Sequence, residues 1–427
     1  MNTIIIVLFI LGYLAIAFEN FIKTNKSATA LLTGVLCWAV YILCSNNPHL
    51  ISEQLTEHLG ELSGILFFLM GAMTIVELID AHDGFDLITS NIKTTNKRKL
   101  LWLICFITFI LSSLLDNLTT AIVMVSLIRK LIDNREDRLF FTGMVVIAAN
   151  AGGAWSPIGD VTTTMLWIGG QITAANICVK LIVPSIVCLI VPLIITSFKL
   201  RGTISKPEII PTKTGVPLSV RERNIIFFTG LGGLIFVPIF KSLTHLPPFM
   251  GILFALGVLW IVTEIIHGSK DEEDKDALSV THALRKIDTP SILFFLGILI
   301  AIAALQSTGL LSTLAQLMDE KIGNLNIIVP VIGLLSAIID NVPLVAASMG
   351  MYDLTAYPPD SYIWEFLAYC AGTGGSILII GSAAGVAAMG IEKIDFIWYL
   401  KKIAWLAAIG YFAGAIVYVL QEHLLHL

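Results

Sequence analysis

Long apolar runs separated by short polar segments make up most of the chain. A helix needs about 20 consecutive apolar residues to cross the hydrocarbon of a bilayer, so runs near that length predict membrane spans. They lie at about 3–18, 28–44, 62–80, 138–168, 172–198, 223–241, 248–267, 290–306, 362–391 and 396–420. Two further runs, at about 100–128 and 325–352, are too long for one span and too short for two, and an Asp-Asn pair interrupts each at its centre.

The charges beside these two interrupted runs predict that both are re-entrant hairpins. Lysines and arginines flank 100–128 on both sides, which places both of its ends in the cytoplasm under the positive-inside rule. Acidic residues such as Asp319 and Asp353 flank 325–352, so its two ends are predicted to be external. With both hairpins re-entrant, the topology closes with about ten crossings and both termini outside.

The two halves of the chain repeat the same motifs in the same order. The recurring pairs are Phe67-Phe68-Leu69 with Phe294-Phe295-Leu296, Asp116-Asn117 with Asp340-Asn341, and Gly152-Gly153 and Gly159 with Gly374-Gly375 and Gly381. Because the first unit starts inside and the second outside, these recurrences predict an inverted-topology repeat, the arrangement of many secondary transporters.

This pattern predicts four segments along the chain. They are an N-terminal span and loop at 1–27, repeat 1 at 28–198, a cytoplasmic linker with a connecting span at 199–247, and repeat 2 at 248–427. Each repeat is predicted to contain one hairpin and one broken helix, at about 100–128 and 138–168 in the first and at about 325–352 and 362–391 in the second. Glycines and a proline inside a span free backbone carbonyl groups that can act as ligands.

Composition excludes a soluble globular protein. Of the 427 residues, 56% are hydrophobic and 13% are charged, and the mean hydropathy is +0.87. The stretch from Met1 to Phe18 lacks a basic start and a small-residue cleavage site, so we expect a retained first span. The predicted fold class is an all-α polytopic membrane protein with about ten transmembrane helices in two inverted-topology repeats.

The interruptions of the hairpins and of the broken helices carry the candidate chemistry. A lone charge in the middle of a span costs roughly 2.5–3.5 kcal/mol on insertion scales, which a chain tolerates mainly for function. Hard cations such as Na⁺ bind carboxylate, amide, hydroxyl and carbonyl oxygens, and no Lys or Arg lies within these four stretches. The predicted cation- and proton-binding residues are Asp116, Asn117, Asp340, Asn341, Asp160, Asn150, Thr162 and Thr163, supported by Ser112, Thr119, Thr120, Ser336, Ser376 and Ser382.

Competition between a proton and a metal cation follows from these residue types. Burial beside other carboxylates favours the protonated form of a carboxylic acid, so such a group can hold either a proton or a Na⁺ or Li⁺ ion. Exchange of Na⁺ or Li⁺ for H⁺ is therefore predicted, with no cofactor and no nucleic-acid partner. Two structural interpretations stay open, namely helix capping by the three aspartates and interhelical hydrogen bonding by Ser112, Thr119, Thr120 and Ser336.

Two rival functions could use the same residues. One is an organic-anion or oxyanion transporter on the same scaffold. The other is an intramembrane aspartyl enzyme in which Asp116 and Asp340 share a proton and activate water. The Asn beside each Asp, the repeat and the third acid favour a cation site over the enzyme.

A polar cluster ends the third predicted span. Glu77, Asp80, His82 and Asp83 lie towards its cytoplasmic end. We expect a solvated helix terminus there, and a pH-sensing imidazole at His82 is the alternative, because histidine titrates near neutral pH.

Taken together, the polar motifs resemble those of the NhaD-type Na⁺/H⁺ antiporters of the ion transporter superfamily. The resemblance covers nearly the whole chain in span order and rests on Ser112 with Asp116-Asn117, Asn150 with Asp160 and Thr162-Thr163, and Ser336 with Asp340-Asn341. It implies exchange of cytoplasmic sodium for external protons across a bacterial inner membrane, favoured at alkaline pH. It also implies a homodimer with a scaffold and a mobile transport part that moves in elevator fashion.

The hairpin tips depart from the pattern of the carboxylate carriers in the same superfamily. Its dicarboxylate transporters carry Ser-Asn-Thr motifs at these tips. Here an Asp precedes each Asn, and Pro343 stands at the second tip where a hydroxyl would be expected. These departures weaken the carboxylate interpretation.

Overall fold

The computed structural model describes the whole chain except residues 18–21, 23, 46, 86, 88–91, 93, 206–217, 269, 339 and 426–427. Phe18 of the first predicted span and 206–217 of the predicted linker therefore lie outside the described residues. Within the described part, every regular element is a helix. The helices are α1 (Asn2–Ala17), α2 (Lys26–Leu43), α3 (Pro48–Ala81), α4 (Lys97–Leu114), α5 (Asn117–Leu131), α6 (Arg135–Ala154), α7 (Val161–Ile168), α8 (Ala174–Lys199), α9 (Val220–Thr244), α10 (Pro248–His267), α11 (Glu272–Ala277), α12 (Val280–Lys286), α13 (Thr289–Ser307), α14 (Leu310–Lys321), α15 (Leu325–Leu335), α16 (Asn341–Met351), α17 (Tyr362–Gly374), α18 (Ala383–Glu392), α19 (Phe396–Lys402) and α20 (Ala404–Leu425).

Seven helices of the described part are long and apolar enough to cross a membrane. They are α2, α3, α8, α9, α10, α13 and α20, and shorter apolar helices lie at α1, α15, α16 and α18. Large apolar side chains on the long helices face outwards, as Val179 and Ile265 do, which is the arrangement that lipid favours. The prediction of an all-helical polytopic membrane protein is confirmed.

Both Asp-Asn runs and both glycine-rich runs are divided into two helices, as predicted. α4 and α5 form the first interrupted run, and α15 and α16 form the second. The glycine-rich runs become α6 with α7 and α17 with α18. The residues between the paired helices are 115–116, 155–160, 336–340 and 375–382.

Two predicted boundaries are wrong. α3 starts at Pro48 instead of near 62, because Asn47 caps it and proline suits the first helical position. The run 396–420 is two helices, since α19 ends at Lys402 with two lysines in its last turn, which a continuous span would bury in lipid. The mixed-charge segment 268–288, between two predicted spans, contains α11 and α12.

Each hairpin packs against the broken helix of its own half at backbone distance. A Cβ atom on Gly152 of α6 would overlap the carbonyl oxygen of Phe109 on α4. A Cβ atom on Gly374 of α17 would overlap the carbonyl oxygen of Gly333 on α15. Only glycine permits so close an approach. The same contact therefore occurs twice, at positions where the glycine motif recurs in the sequence.

Helices of the two halves interlock around this pair of contacts. We call α1, α2, α3, α9, α10 and α13 the framework helices, in which α2 packs along α13 and α3 packs against α10. We call α4 to α8 and α15 to α20 the site helices, in which α5 packs against α18, α6 against α17 and α8 against α20. The four helix breaks all belong to the site helices.

Candidate functional site

Asp160 lies at the centre of the buried polar residues. It caps α7, and Thr162 donates its backbone N–H at 2.9 Å and its hydroxyl at 2.8 Å to Oδ1 of Asp160. Asn117 of α5 donates Nδ2–H to Oδ2 of Asp160 at 2.5 Å, and Asn341 of α16 donates Nδ2–H to Oδ1 at 3.5 Å. Asp160 is only 1% exposed. One buried carboxylate thus joins the first residues of the second helix in both hairpins.

A chain of amides continues from Asp160 into the second half of the protein. Asn117 also donates Nδ2–H to Oδ1 of Asn150 at 3.0 Å, and Asn150 donates Nδ2–H to Oγ of Ser382 at 2.9 Å. Ser382 in turn caps α18, as Asp160 caps α7. Asp160 and Ser382, which follow the recurring Gly159 and Gly381 of the two halves, are therefore joined through one buried network.

Asp116 and Asp340 bind to their own helices. Asp116 accepts the backbone N–H of Thr119 at 2.8 Å and its hydroxyl at 2.6 Å, and Asp340 accepts the backbone N–H of Val342 at 3.2 Å. Both aspartates are half-buried, and both lie within electrostatic range of Asp160. The capping interpretation therefore applies to all three aspartates.

The three carboxylates do not surround a single point. Among the described residues, no three His, Cys, Asp or Glu side chains form a group that could hold a metal ion between them. A cation in the polar network would meet the carboxylate of Asp160 together with amide, hydroxyl and backbone carbonyl oxygens. Such a mixed oxygen set suits a hard cation.

A narrow cavity of about 40 Å³ lies beside Asp116, Asn117 and Asp160. One water molecule needs roughly 10–15 Å³, so a small ion with little water fits. Pockets for larger organic ligands measure about 300–1,000 Å³. The framework side of the cavity includes Phe68 and Phe295, the middle residues of the repeated Phe-Phe-Leu motif, and no described residue of its lining is Lys or Arg.

Most of the other predicted hydroxyl groups bond to backbone carbonyls. The donations are Ser112 to Ala149 at 2.6 Å, Ser376 to Thr373 at 2.6 Å and Thr163 to Asp160 at 2.9 Å, and the Ser336 hydroxyl is shared between Gly333 of its own helix at 2.7 Å and Ala371 at 3.1 Å. Ser112 and Ser336 thus join each hairpin to its broken helix, as the interhelical interpretation predicts. Thr120 differs, since its buried hydroxyl has no hydrogen-bond partner in the described part of the chain.

One basic residue near the site was not predicted from the sequence. Lys26, the first residue of α2, lies within electrostatic range of Asp340, and its Nζ lies 4.8 Å from the ring centre of Phe294. No motif links Lys26 with Asp340, because they belong to opposite halves of the chain. The second hairpin tip therefore has a cation of the framework helices nearby.

Comparison with known proteins identifies the family. The family model described as citrate transporter (CitMHS) matches residues 6–367. Sodium/proton antiporters 1 and 2 of Arabidopsis thaliana are 51% and 48% identical to this chain, over 98% and 96% of it and 72% and 98% of their own lengths. The Na⁺/H⁺ antiporter NhaD of Vibrio cholerae is 28% identical over 98% of this chain and 91% of its own length.

The family and these relatives are transporters, so the aspartyl-enzyme alternative is excluded. The relatives match nearly the whole chain, including the hairpins and broken helices that form the polar network, and the family model covers it up to residue 367. The chain therefore belongs to the citrate transporter family of polytopic membrane transporters, together with the plant and NhaD-type sodium/proton antiporters.

Proposed function

We propose that this protein is a secondary active Na⁺(Li⁺)/H⁺ antiporter that exchanges cytoplasmic sodium for external protons. The observation that carries the proposal is the carboxylate of Asp160, 1% exposed and in contact with Asn117 and Asn341 from the two hairpins. The names of the relatives in Arabidopsis thaliana and Vibrio cholerae support it.

Exchange follows from what the Asp160 carboxylate can bind. Its two oxygens accept hydrogen bonds from Thr162, Asn117 and Asn341. A proton on one of these oxygens removes the negative charge and one acceptor position. A cation binds oxygen atoms and repels N–H donors. When a cation is bound, Asn117 and Asn341 therefore rotate their side-chain amides so that the amide oxygens face the cation. The proton and the cation therefore exclude each other, and release of one allows binding of the other.

The helix ends around the site distinguish a cation from an anion. The N-termini of α5, α7, α16 and α18 carry partial positive charge and would attract an anionic substrate. Three of these four ends are capped by Asp116, Asp160 and Asp340, and only α18 has a neutral cap, Ser382. The anion positions at these ends are thus already filled by the protein's own carboxylates. We assign Asp116 and Asp340 the role of increasing the negative charge that a cation meets on its way to Asp160.

A second candidate is transport of an organic anion, because the matching family model is described as citrate transporter. A tricarboxylate would enter a cavity of about 40 Å³ that is lined by Asp116 and Asp160, with Asp340 within electrostatic range of Asp160. Both the size and the charge of the cavity disfavour it.

Proteoliposomes that contain a pH-sensitive dye separate the two candidates. With a proton gradient imposed, addition of Na⁺ or Li⁺ is expected to release protons, and K⁺ provides the comparison. Uptake of labelled citrate is measured in the same vesicles. Citrate uptake without a Na⁺ or Li⁺ response would overturn the proposal and favour the organic-anion carrier.

We further propose that the site helices move against the framework helices in elevator fashion, with 28–198 and 248–427 as the two inverted repeats. The supporting observation is that the cavity lies between the two groups, with Phe68 and Phe295 of the framework opposite Asp160 of the site helices. A homodimer in a bacterial inner membrane completes the proposal, following the NhaD resemblance. Native mass spectrometry in lipid nanodiscs tests the dimer, and a monomeric mass would contradict it.

A further inference from the structure

His82 and His267 form a buried pair at one end of the framework helices. His82 follows the last residue of α3, and His267 is the last residue of α10. Their rings are nearly parallel, at 21°, with centres 5.1 Å apart, and they meet edge to edge with their Nε2 atoms 2.8 Å apart. They are 0% and 4% exposed. The expectation of a solvated helix end is therefore wrong for His82, because α10 packs against α3 and covers it.

Hydrogen-bond partners define where the protons of the neutral pair lie. Nδ1 of His82 is 2.6 Å from the carbonyl oxygen of Leu78, which can only accept, so this nitrogen carries a hydrogen. Neutral His82 then accepts at Nε2, and His267 donates from Nε2. The remaining nitrogen, Nδ1 of His267, is buried without a hydrogen-bond partner in the described part of the chain.

The pair has no favourable place for an additional proton. One added proton puts an N–H at Nδ1 of His267, where no described acceptor lies. A second added proton sets two Nε2–H groups against each other and breaks the bond between the rings. Protonation thus weakens the contact between the ends of α3 and α10.

Charged groups from each neighbouring element face the pair. They are Asp83 after α3, Glu222 of α9, Glu264 of α10 and Lys270 after α10. Lys270 is paired with Glu222 at 3.3 Å, and a polar pocket of about 280 Å³ that includes Lys275 and Asp276 adjoins His267. Burial lowers the pKa of His82, so protonation occurs below its ordinary value of about 6.5.

Helix α3, which His82 follows, also lines the cavity beside Asp160. Phe68, Leu69, Met73 and Val76 of α3 contribute to the cavity beside Asp160. A change in the position of the α3 end therefore reaches the cavity through one continuous helix.

We propose that the His82–His267 pair is a proton-sensitive latch that fixes α3 to α10 while both rings are neutral and releases α3 on acidification. The predicted topology places the latch on the cytoplasmic side. Resting on the proposed function, the consequence is slower exchange when the cytoplasm becomes acidic, which prevents further proton entry.

Substitution by glutamine tests the latch, because an amide can donate to a neutral imidazole and accept from a protonated one. His267→Gln and His82→Gln are expected to move the acid limb of the pH–activity profile to lower pH by about half a unit or more. His49→Gln, on the same helix α3 but exposed, is the matched control and should leave the profile unchanged. Profiles identical to that of the unmodified protein in both variants would overturn the proposal.

Hydrogen–deuterium exchange of the unmodified protein provides a test that needs neither transport nor a variant. After correction for intrinsic exchange, amides 78–84 are expected to exchange faster at pH 5.5 than at pH 8, and amides 97–114 of α4 serve as the internal reference. Equal protection of 78–84 at both pH values would overturn the latch while leaving the proposed antiport untouched. If hydrogen–deuterium exchange of amides 78–84 depends on pH but Na⁺ releases no protons, the proposed function is overturned and the latch is not.

Discussion

Replacing Asp160 with asparagine changes the charge of the site and almost nothing of its shape. Asn117 donates from Nδ2 to Oδ2 of Asp160 at 2.5 Å. In the variant an amide nitrogen replaces Oδ2, so two N–H donors would face each other there. This conflict disappears when the side-chain amides of Asn117 and Asn150 both rotate by half a turn. Asn150 then donates to the Asn117 oxygen and presents its own oxygen to Ser382, whose hydroxyl can donate to it. The hydrogen bonds among residues 160, 117, 150 and 382 can therefore re-form around the substituted side chain, and we expect the Asp160→Asn variant to fold.

The loss of charge sets the size of the transport defect. Opposite unit charges 4 Å apart attract by about 4 kcal/mol at an effective dielectric constant of 20. This corresponds to roughly a thousandfold in apparent Na⁺ affinity. The change in folding free energy is expected to stay near the 0.5–1.5 kcal/mol of about one neutral hydrogen bond. Loss of transport thus exceeds loss of stability by a wide margin.

Titration with Na⁺ in dye-loaded proteoliposomes measures the defect, and thermal unfolding followed by tryptophan fluorescence measures stability. Asp395→Asn is the matched control, because Asp395 is an exposed cap of α19 that accepts from Trp398 and asparagine caps equally well. The control should keep the half-saturating Na⁺ concentration of the unmodified protein. An Asp160→Asn protein with that same half-saturating concentration would refute the central role of this carboxylate.

Two further predictions concern the hairpins. Asp116→Asn and Asp340→Asn should each keep the helix cap and the fold but weaken apparent Na⁺ affinity, by less than Asp160→Asn does, and near-normal exchange by either variant would remove that aspartate from the site. Gly374→Ala should lower the melting temperature and the yield of folded protein, because the added Cβ would overlap the Gly333 carbonyl oxygen. Gly390→Ala is the control and should be neutral or stabilising, because the space around Gly390 is open. Equal melting temperatures of the two variants would contradict the packing argument.

Hydropathy and charge predict much of this architecture because a membrane span requires a long apolar run. Any polar pair or glycine cluster inside such a run has to be a break or a site. The interruptions at Asp116-Asn117 and Asp340-Asn341 could therefore be placed from the sequence, and the helices indeed end and restart there. The division at Lys402 was missed because the apolar character resumes immediately after it.

Contacts between distant segments could not be predicted in the same way. Hydropathy predicts that an aspartate is buried but not where its oxygens point, and a capping aspartate turns towards its own backbone. Asp116 and Asp340 do this, while Asp160 caps α7 and also accepts from Asn117 and Asn341. The sequence presents all three as similar, and only the folded chain makes Asp160 the shared acceptor.

The charges of the helix ends and of their caps explain how one arrangement of helices can bind either a cation or an anion. Four helix N-termini meet at this site, and an unmodified set of helix ends would attract an anion. A capping aspartate cancels the partial charge of the helix end and leaves a net negative excess, because a full charge exceeds the roughly half charge of a helix terminus. Counted alone, three aspartate caps against four helix ends give about one net negative charge, and Lys26 beside Asp340 offsets part of it. Neutral caps at the same positions would leave the helix ends with about two positive charges, which suits a dicarboxylate. We therefore propose that the aspartate caps at Asp116, Asp160 and Asp340 set the sign of the ion that the site accepts.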